Sequence, residues 1–378
     1  MPDIPSMKYL LLPLVIASLN LLVMADTPPP ARTMMAKAPA SPELLEDGKV
    51  TFRCKAPSAK EVKVSGQFGP ELNLEKGEGG WWTATTAGPV AAGVFEYSFK
   101  VDGMSIIDHL NPMIKPQRAP GSSILHIPAN PPAAWDLQEI PHGIVSQHDY
   151  QSKALNKWRR LVVYTPPGYR ADGPALPVLY LSHGFSDNDQ SWTVHGKAHS
   201  ILDSLIAAKK AKPMLVVMPD AHALPPGSGW KDEYADENTR AFCQELTTDV
   251  IPLIEKSYHV NPDPAARAFA GLSMGGRHAL TVALTMNDKF SQIGAFSSAV
   301  PGENLVGAAL ADAAGVNSRL KLLWIACGKE DFLFNANNAF DALLKEKGLN
   351  HEYEVTEGNH SWPIWRNYLA TFVPRLFP

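Results

Sequence analysis

The sequence predicts an α/β fold with a mostly parallel central sheet, preceded by a small all-β sandwich. Three observations carry this. From residue 137 to 378, short and nearly continuous apolar runs alternate with runs of helical period, the pattern of strands covered by helices on both faces. From 41 to 128 the runs are short, alternate with period two and are parted by turn residues, as antiparallel strands are. Two Pro- and Ala-rich stretches, 26–40 and 129–136, read as linkers between these regions.

Taken in order, Lys8 precedes an apolar stretch from Tyr9 to Ala25, broken by Pro13 and Asn20, after which Asp26 and a Pro run restore polarity. Small residues at Val23 and Ala25 fit a signal-peptidase site, so residues 1–25 are expected to be a cleaved signal peptide. The stretch is short for a membrane span, which needs about 20 apolar residues, and no cysteine follows it to carry a lipid. A secreted or periplasmic protein with no stable membrane anchor is therefore expected. The net charge of −4 and the lack of a basic run argue against nucleic acid as a partner. The three cysteines are far apart and fit no metal spacing. Cys54 and Cys327 read as buried thiols, and a Cys243–Cys327 disulfide stays open.

In the β region the runs are "KVTFRCKAP", "EVKVSGQF", "GWWTATTAG", "VFEYSFKVDG" and "SSILHIP". Turns fall at Pro57, Gly66, Gly79–Gly80, Gly93 and Asp102–Gly103. Adjacent Trp81 and Trp82 must point to opposite faces of a strand. One therefore belongs to the core, and the other either packs against the catalytic region or stacks on a sugar.

In the α/β region "RRLVVYTPPGY", "LPVLYLSHGF", "PMLVVMPD", "ARAFAGLS", "QIGAFSSA", "LKLLWIACG" and "HEYEV" read as strands. Helices are expected from Trp192 to about Lys212, through "TRAFCQELTTDVIPLIEKSY", "MGGRHALTVALTM" and "NANNAFDALLKEKG", and through "PIWRNYLATFVPRLF".

The chemistry centres on "AGLSMGG". Ser273 sits between an apolar strand and a helix, with Gly271 and Gly275 where a tight strand–turn–helix elbow needs small residues. A serine needs a base, and the base needs an acid to orient it. Only His278, His351 and His360 follow Ser273. His278 lies within the helix that starts beside the serine, and His351 opens a strand. His360 lies on a Gly-bearing loop between the last strand and the last helix, where an imidazole can reach the sheet edge. Asp331 is the candidate acid, with Glu330 the alternative; both directly follow the strand ending at Gly328. The oxyanion donors are expected at the Met274 N–H and, after the strand "LYLSHGF", at the Phe185 N–H, with Gly184 allowing close approach. His183 is expected to shape that loop. His195 and His199 share a helix face, but no carboxylate or cysteine is placed to complete a metal site. With neither G-x-x-x-x-G-K nor H-E-x-x-H present, no metal or organic cofactor is implied.

Six segments together, "YQSKALNKWRRLVVYTPPGY", "LYLSHGFSDNDQSW", "FCQELTTDVIPLIEKSY", "FAGLSMGGRHAL", "ACGKEDFLF" and "GNHSWPIWR", resemble the esterase D-like family. Within it they look most like the feruloyl and acetyl-xylan esterases of carbohydrate esterase family one. The resemblance covers residues 137–378 and implies an α/β-hydrolase fold with Ser273, Asp331 and His360 as the triad. It implies a serine esterase acting on feruloylated or acetylated polysaccharide or oligosaccharide, with acetyl-xylan and ferric-siderophore esterases as alternatives. Residues 41–128 resemble the immunoglobulin-like early-set sandwich of carbohydrate-binding module family 48. Gly184, Trp192, Trp362 and the loops 222–227 and 297–302 are then candidates for substrate binding. The oligomeric state is left open.

Overall fold

The computed structural model describes residues 39–225 and 232–378; the expected signal peptide, most of the first linker and the tip of the 222–227 loop lie outside them. An eight-stranded sheet runs through the α/β region in the spatial order Ile144–Ser152, Lys157–Thr165, Leu215–Pro219, Val178–Ser182, Arg267–Leu272, Gln292–Phe296, Leu322–Gly328 and Glu352–Thr356. The first three neighbours pair antiparallel, and all later pairs are parallel.

Period two within each strand divides the core. Leu161, Val163, Tyr180, Val217, Phe269 and Ile293 face one way, toward the helices Asp232–Glu245, Met274–Thr285 and Phe334–Glu346. Val162, Leu179, Leu181, Val216, Ala270 and Phe296 face the other, toward Ala198–Ala207 and Trp362–Phe372. Central strands are buried at every position, which is why "LPVLYLS" and "LVVMP" show no alternation. The edge strands Ile144–Ser152 and Glu352–Thr356 carry exposed polar and charged residues, which discourages pairing with another chain.

Two expected helices are corrected. The run from Trp192 is broken into Ser191–Val194 and Ala198–Ala207, and it stops short of Lys212. A Cβ on Gly196 would collide with Trp362 and Trp192, and Lys197 turns at φ 55°, so the chain kinks around this tryptophan pair. The run ending at Ser257 contains a π-helical turn, Leu246–Val250, between two α segments. Pro252 has no N–H to return to the preceding turn, and the wider turn absorbs the missing bond. Cys54, Cys243 and Cys327 are all free thiols, so the Cys243–Cys327 disulfide is not formed.

In the β region two antiparallel sheets share one core. Glu43–Leu44, Val50–Lys55, Trp81–Thr85 and Glu75–Lys76 form one sheet. Gly69–Asn73, Val62–Gly66, Gly93–Val101 and Met104–Ile106 form the other, with Ser123–Ile127 also paired to Gly93–Val101. Val50, Phe52, Val64, Trp82, Tyr97 and Phe99 fill the space between them. Trp82 is the inward member of its pair, its Nε1 donating to Ala56 O at 2.8 Å. Trp81 is half-buried, with Lys55 Nζ 5.4 Å above its ring.

The stretch 129–136 is a pinned turn: buried Asp136 accepts from the N–H groups of Ala129 and Ala133 and lies 2.7 Å from His126 Nε2. Residues Pro39–Pro378 accordingly form one compact unit. Its two parts are tied by Arg366, a buried guanidinium that donates to Val94 O at 2.6 Å and to His195 O at 2.9 Å. Arg366→Ala leaves both buried carbonyls without this donor. It is expected to lower unfolding free energy by about 3 kcal/mol, read from the urea midpoint at unchanged slope. Among the described residues no helix is long and apolar enough to cross a membrane.

Candidate active site

Ser273 occupies the turn between the strand Arg267–Leu272 and the helix Met274–Thr285, at φ 54° and ψ −112°. Side chains rarely adopt this left-handed backbone, and it is held from outside. Ser273 N donates to Phe296 O at 2.9 Å, and Ser273 O accepts from Arg277 N and Ala299 N, each at 3.0 Å. A Cβ on Gly271 would overlap the backbone of Gly275, and one on Gly275 would fall 2.5 Å from Ser182 O. Both positions therefore require glycine if strand and helix are to meet this closely.

Asp331 and His360 are brought together across 29 residues: His360 Nδ1 lies 3.0 and 2.9 Å from the two oxygens of Asp331. That bond places the proton on Nδ1 and leaves Nε2 as the basic nitrogen. Asp331 is 4% exposed. Burial opposes its charge, but hydrogen bonds from His360 and the Leu333 N–H prevail and hold the carboxyl below its ordinary range. Glu330 is turned elsewhere, accepting the Gly358 N–H of the loop that carries His360. The His360 ring is flanked by Phe332 at 4.4 Å and, edge-on, by Trp365 at 4.8 Å.

The other two histidines have structural partners. His351 Nε2 lies 2.9 Å from Asp341. His278 is fully buried, stacks on Phe242 at 4.4 Å, and burial pushes its pKa well below the usual value. His183 is buried at the end of its strand. Its Nε2 accepts the Ala221 N–H at 2.8 Å and its Nδ1 donates to Gly184 O at 2.8 Å, so it braces the turn that leads into Phe185.

Ser273 lies where two hollows meet. One, about 260 Å³, is bounded by Phe185, Met274, Ala299, Phe332 and Leu333 and is almost wholly apolar. The other, about 200 Å³, is bounded by Gly184, Asp187, His360, Trp362 and Trp365, and on its far side by Gln67, Glu96 and Lys115 of the β region. Met274 is the first residue of its helix, where N–H groups have no intrahelical partner. It and Phe185, the two residues from which oxyanion donors are expected, border the apolar hollow beside Ser273. Asp187 is 4% exposed, and burial, only partly countered by Lys115, pushes its carboxyl up to about 6.

Trp192 does not line the site. It is 1% exposed, donates from Nε1 to Ser182 O at 3.0 Å and packs edge-on against Trp362. It is a support beneath the cleft. Trp362 is equally buried but borders the second hollow. Of the two loops, 297–302 contributes Ala299 to the apolar hollow, and His222 is buried beside Arg118. Phe332 and Leu333, and the three β-region residues, were not singled out from sequence. Phe332 had a local signal, since it directly follows the candidate acid; in the structure it is 76% exposed. The β-region residues had none. A larger hollow of about 670 Å³ near Ile114 and Thr193 borders neither Ser273 nor His360.

Residues 152–376 match the family model "Esterase: Putative esterase". An endo-1,4-beta-xylanase/feruloyl esterase of Xylanibacter ruminicola is 31% identical over 359 residues, covering 89% of this chain and 46% of that protein. The chain thus spans about half the length of that relative. A ferulic acid esterase structure superposes with TM-score 0.54 and 26% identity, covering 63% of this chain and 98% of the other. The enterobactin esterase of Shigella flexneri superposes over 87% of this chain and 93% of its own, with TM-score 0.63 and 20% identity, a likeness of fold. On the family match the chain belongs to the esterase family, and the likeness to the ferulic acid esterase structure agrees with an α/β-hydrolase fold.

Proposed function

We propose that this chain is an exported serine esterase that removes feruloyl-type acyl groups from plant cell-wall polysaccharide such as xylan. The observation that carries the reading is the meeting of Ser273, on its strained turn, with the Asp331-bound His360 and an apolar hollow bounded by Phe185 and Phe332. An aromatic acyl group suits that hollow, and acetate would leave most of it unfilled.

His360 Nε2 takes the Ser273 hydroxyl proton as Oγ adds to the ester carbonyl carbon. The oxygen that becomes negative faces the N–H groups of Met274 and Phe185. The intermediate collapses, the bond to the alcohol oxygen breaks, and His360 returns the proton to that oxygen. Water then gives a proton to His360 and adds to the acyl-serine, which releases the acid and restores the Ser273 hydroxyl. Asp331 holds the imidazole tautomer and stabilises its cation throughout. In the same reading the paired antiparallel sheets are an immunoglobulin-like early-set sandwich, and residues 1–25 are removed on export.

A panel of methyl ferulate, acetylated xylan and enterobactin tests the substrate, since the Shigella likeness extends over both regions of the chain. Turnover of methyl ferulate is expected to exceed that of the other two. Phe332→Ala should lower kcat/KM on methyl ferulate by about tenfold, the scale of a partly buried aromatic contact, with a much smaller change on an aryl acetate. Equal losses on both would remove the aromatic-pocket argument.

A further inference from the structure

A second left-handed residue stands beside the elbow. Ser186, which follows the expected oxyanion donor Phe185 and borders the same hollow as Ser273, lies at φ 71°. Such a backbone persists only where its surroundings fix it. The strain at Ser273 is held by Phe296, Arg277 and Ala299 of the α/β region. At Ser186 the support comes from the β region. Ser186 O accepts the Arg118 N–H at 2.8 Å, and Gln117 and Asp187 form an antiparallel bridge. Around this bridge Ser191 Oγ donates to Pro116 O at 2.9 Å, Asn188 Nδ2 donates to Gln117 O at 3.4 Å, and Lys115 Nζ stands 3.7 Å from Asp187. Arg118 Nη1 also donates to His222 Nδ1 at 3.0 Å, and the His222 ring packs edge-on against Phe185. The segment 115–118 is anchored in its own region, where Lys115 N donates to Ser122 O at 3.0 Å and Lys115 Nζ lies 3.0 Å from Glu96.

The loop held in this way passes in contact with the nucleophile: a Cβ on Gly184 would fall 3.4 Å from the Cβ of Ser273. Oxyanion donors work because they are fixed in place before the charge develops, and a displacement of about 1 Å at a reacting centre can cost about 10²-fold in rate. We propose that the segment Lys115–Arg118 of the β region is a positioning element for the oxyanion loop Gly184–Asp187, acting chiefly through the Arg118 N–H. The inference rests on the serine-esterase reading, in which the Phe185 N–H is an oxyanion donor. It gives the β region a part in the chemical step whatever alcohol the ester carries.

The test uses 4-nitrophenyl acetate and methyl ferulate, neither of which carries a sugar, on the purified full chain. Arg118→Pro removes the N–H. Gln117 before it already lies in an antiparallel bridge, the extended setting that a following proline favours. The variant is expected to lower kcat on both esters by about 10- to 100-fold, short of the roughly 10²- to 10³-fold loss of an oxyanion donor removed outright. KM should stay within about threefold of wild type, because the donors act on the transition state. Arg118→Ala keeps the N–H and is expected to recover all but about threefold of the loss. Lys115→Met removes the ion pair to Asp187 and should lower kcat by about fivefold; it decides the matter if the melting curve shows that the proline variant does not fold. A kcat within twofold of wild type in folded Arg118→Pro, or in Lys115→Met where that variant is unfolded, overturns the proposal, and so does a loss confined to KM. If wild type hydrolyses neither ester, the serine-esterase reading fails and the inference with it. If wild type turns over only the acetate, the feruloyl reading alone fails, and the acetate decides the inference.

Discussion

Ser273→Ala is expected to lower kcat on any accepted ester by about 10⁵- to 10⁶-fold, the scale of losing the nucleophile of a triad that acts as a unit. The change removes only Oγ. Both hollows and both candidate oxyanion donors remain, so substrate should still bind with an affinity near wild type, measurable by equilibrium titration with methyl ferulate. Alanine bears the same left-handed strain as serine at φ 54°, and the bonds to Phe296, Arg277 and Ala299 use the backbone alone. The melting temperature should therefore shift little. Activity within tenfold of wild type would show that Ser273 is not the nucleophile, whatever the turn around it looks like.

Asp331→Asn should cost about 10⁴-fold in kcat with the fold intact. A carboxamide can present its NH₂ to His360 Nδ1, which then accepts, so the proton moves to Nε2 and the base is lost toward the serine. Glu330→Gln is the discriminating partner. Its carboxylate meets the Gly358 N–H, so the amide should keep activity within about threefold. If Glu330→Gln were the crippling change, the acid would be misassigned. The pH dependence of stability has a fixed sign here. Asp331 is held below its ordinary range, so its contribution is fully present above the unfolded carboxylate value of about 4. That contribution fades as pH falls from there toward the lowered value and is gone below it. Asp331→Asn should lack this acid-side loss.

Much of the catalytic half was legible because its constraints are local. An elbow needs small residues at fixed offsets from its serine, and Gly271 and Gly275 show them. Asp331 and His360 could be placed because each follows a recognisable strand at the same edge of a parallel sheet. Trp192 was misplaced because indole bulk signals burial without saying whether the ring forms a cavity's wall or its footing. The kink at Gly196–Lys197 was missed for a related reason: its cause is Trp362, distant in sequence and unseen by any window of helical period. The π turn before Pro252 left only a proline at a position that a helix start also tolerates. Gln67, Glu96 and Lys115 are ordinary polar residues of a β region, and only tertiary packing brings them to His360.

The bond from Arg366 to Val94 spans 272 residues. A chain emerging from the ribosome completes the β region long before the guanidinium that fastens it exists. Until then, the wall bearing Lys115 lacks that fastening beside the serine's cleft. The β-region wall would thus be secured only once the helix Trp362–Phe372 has been made, and damage to that helix would be felt 272 residues away in sequence.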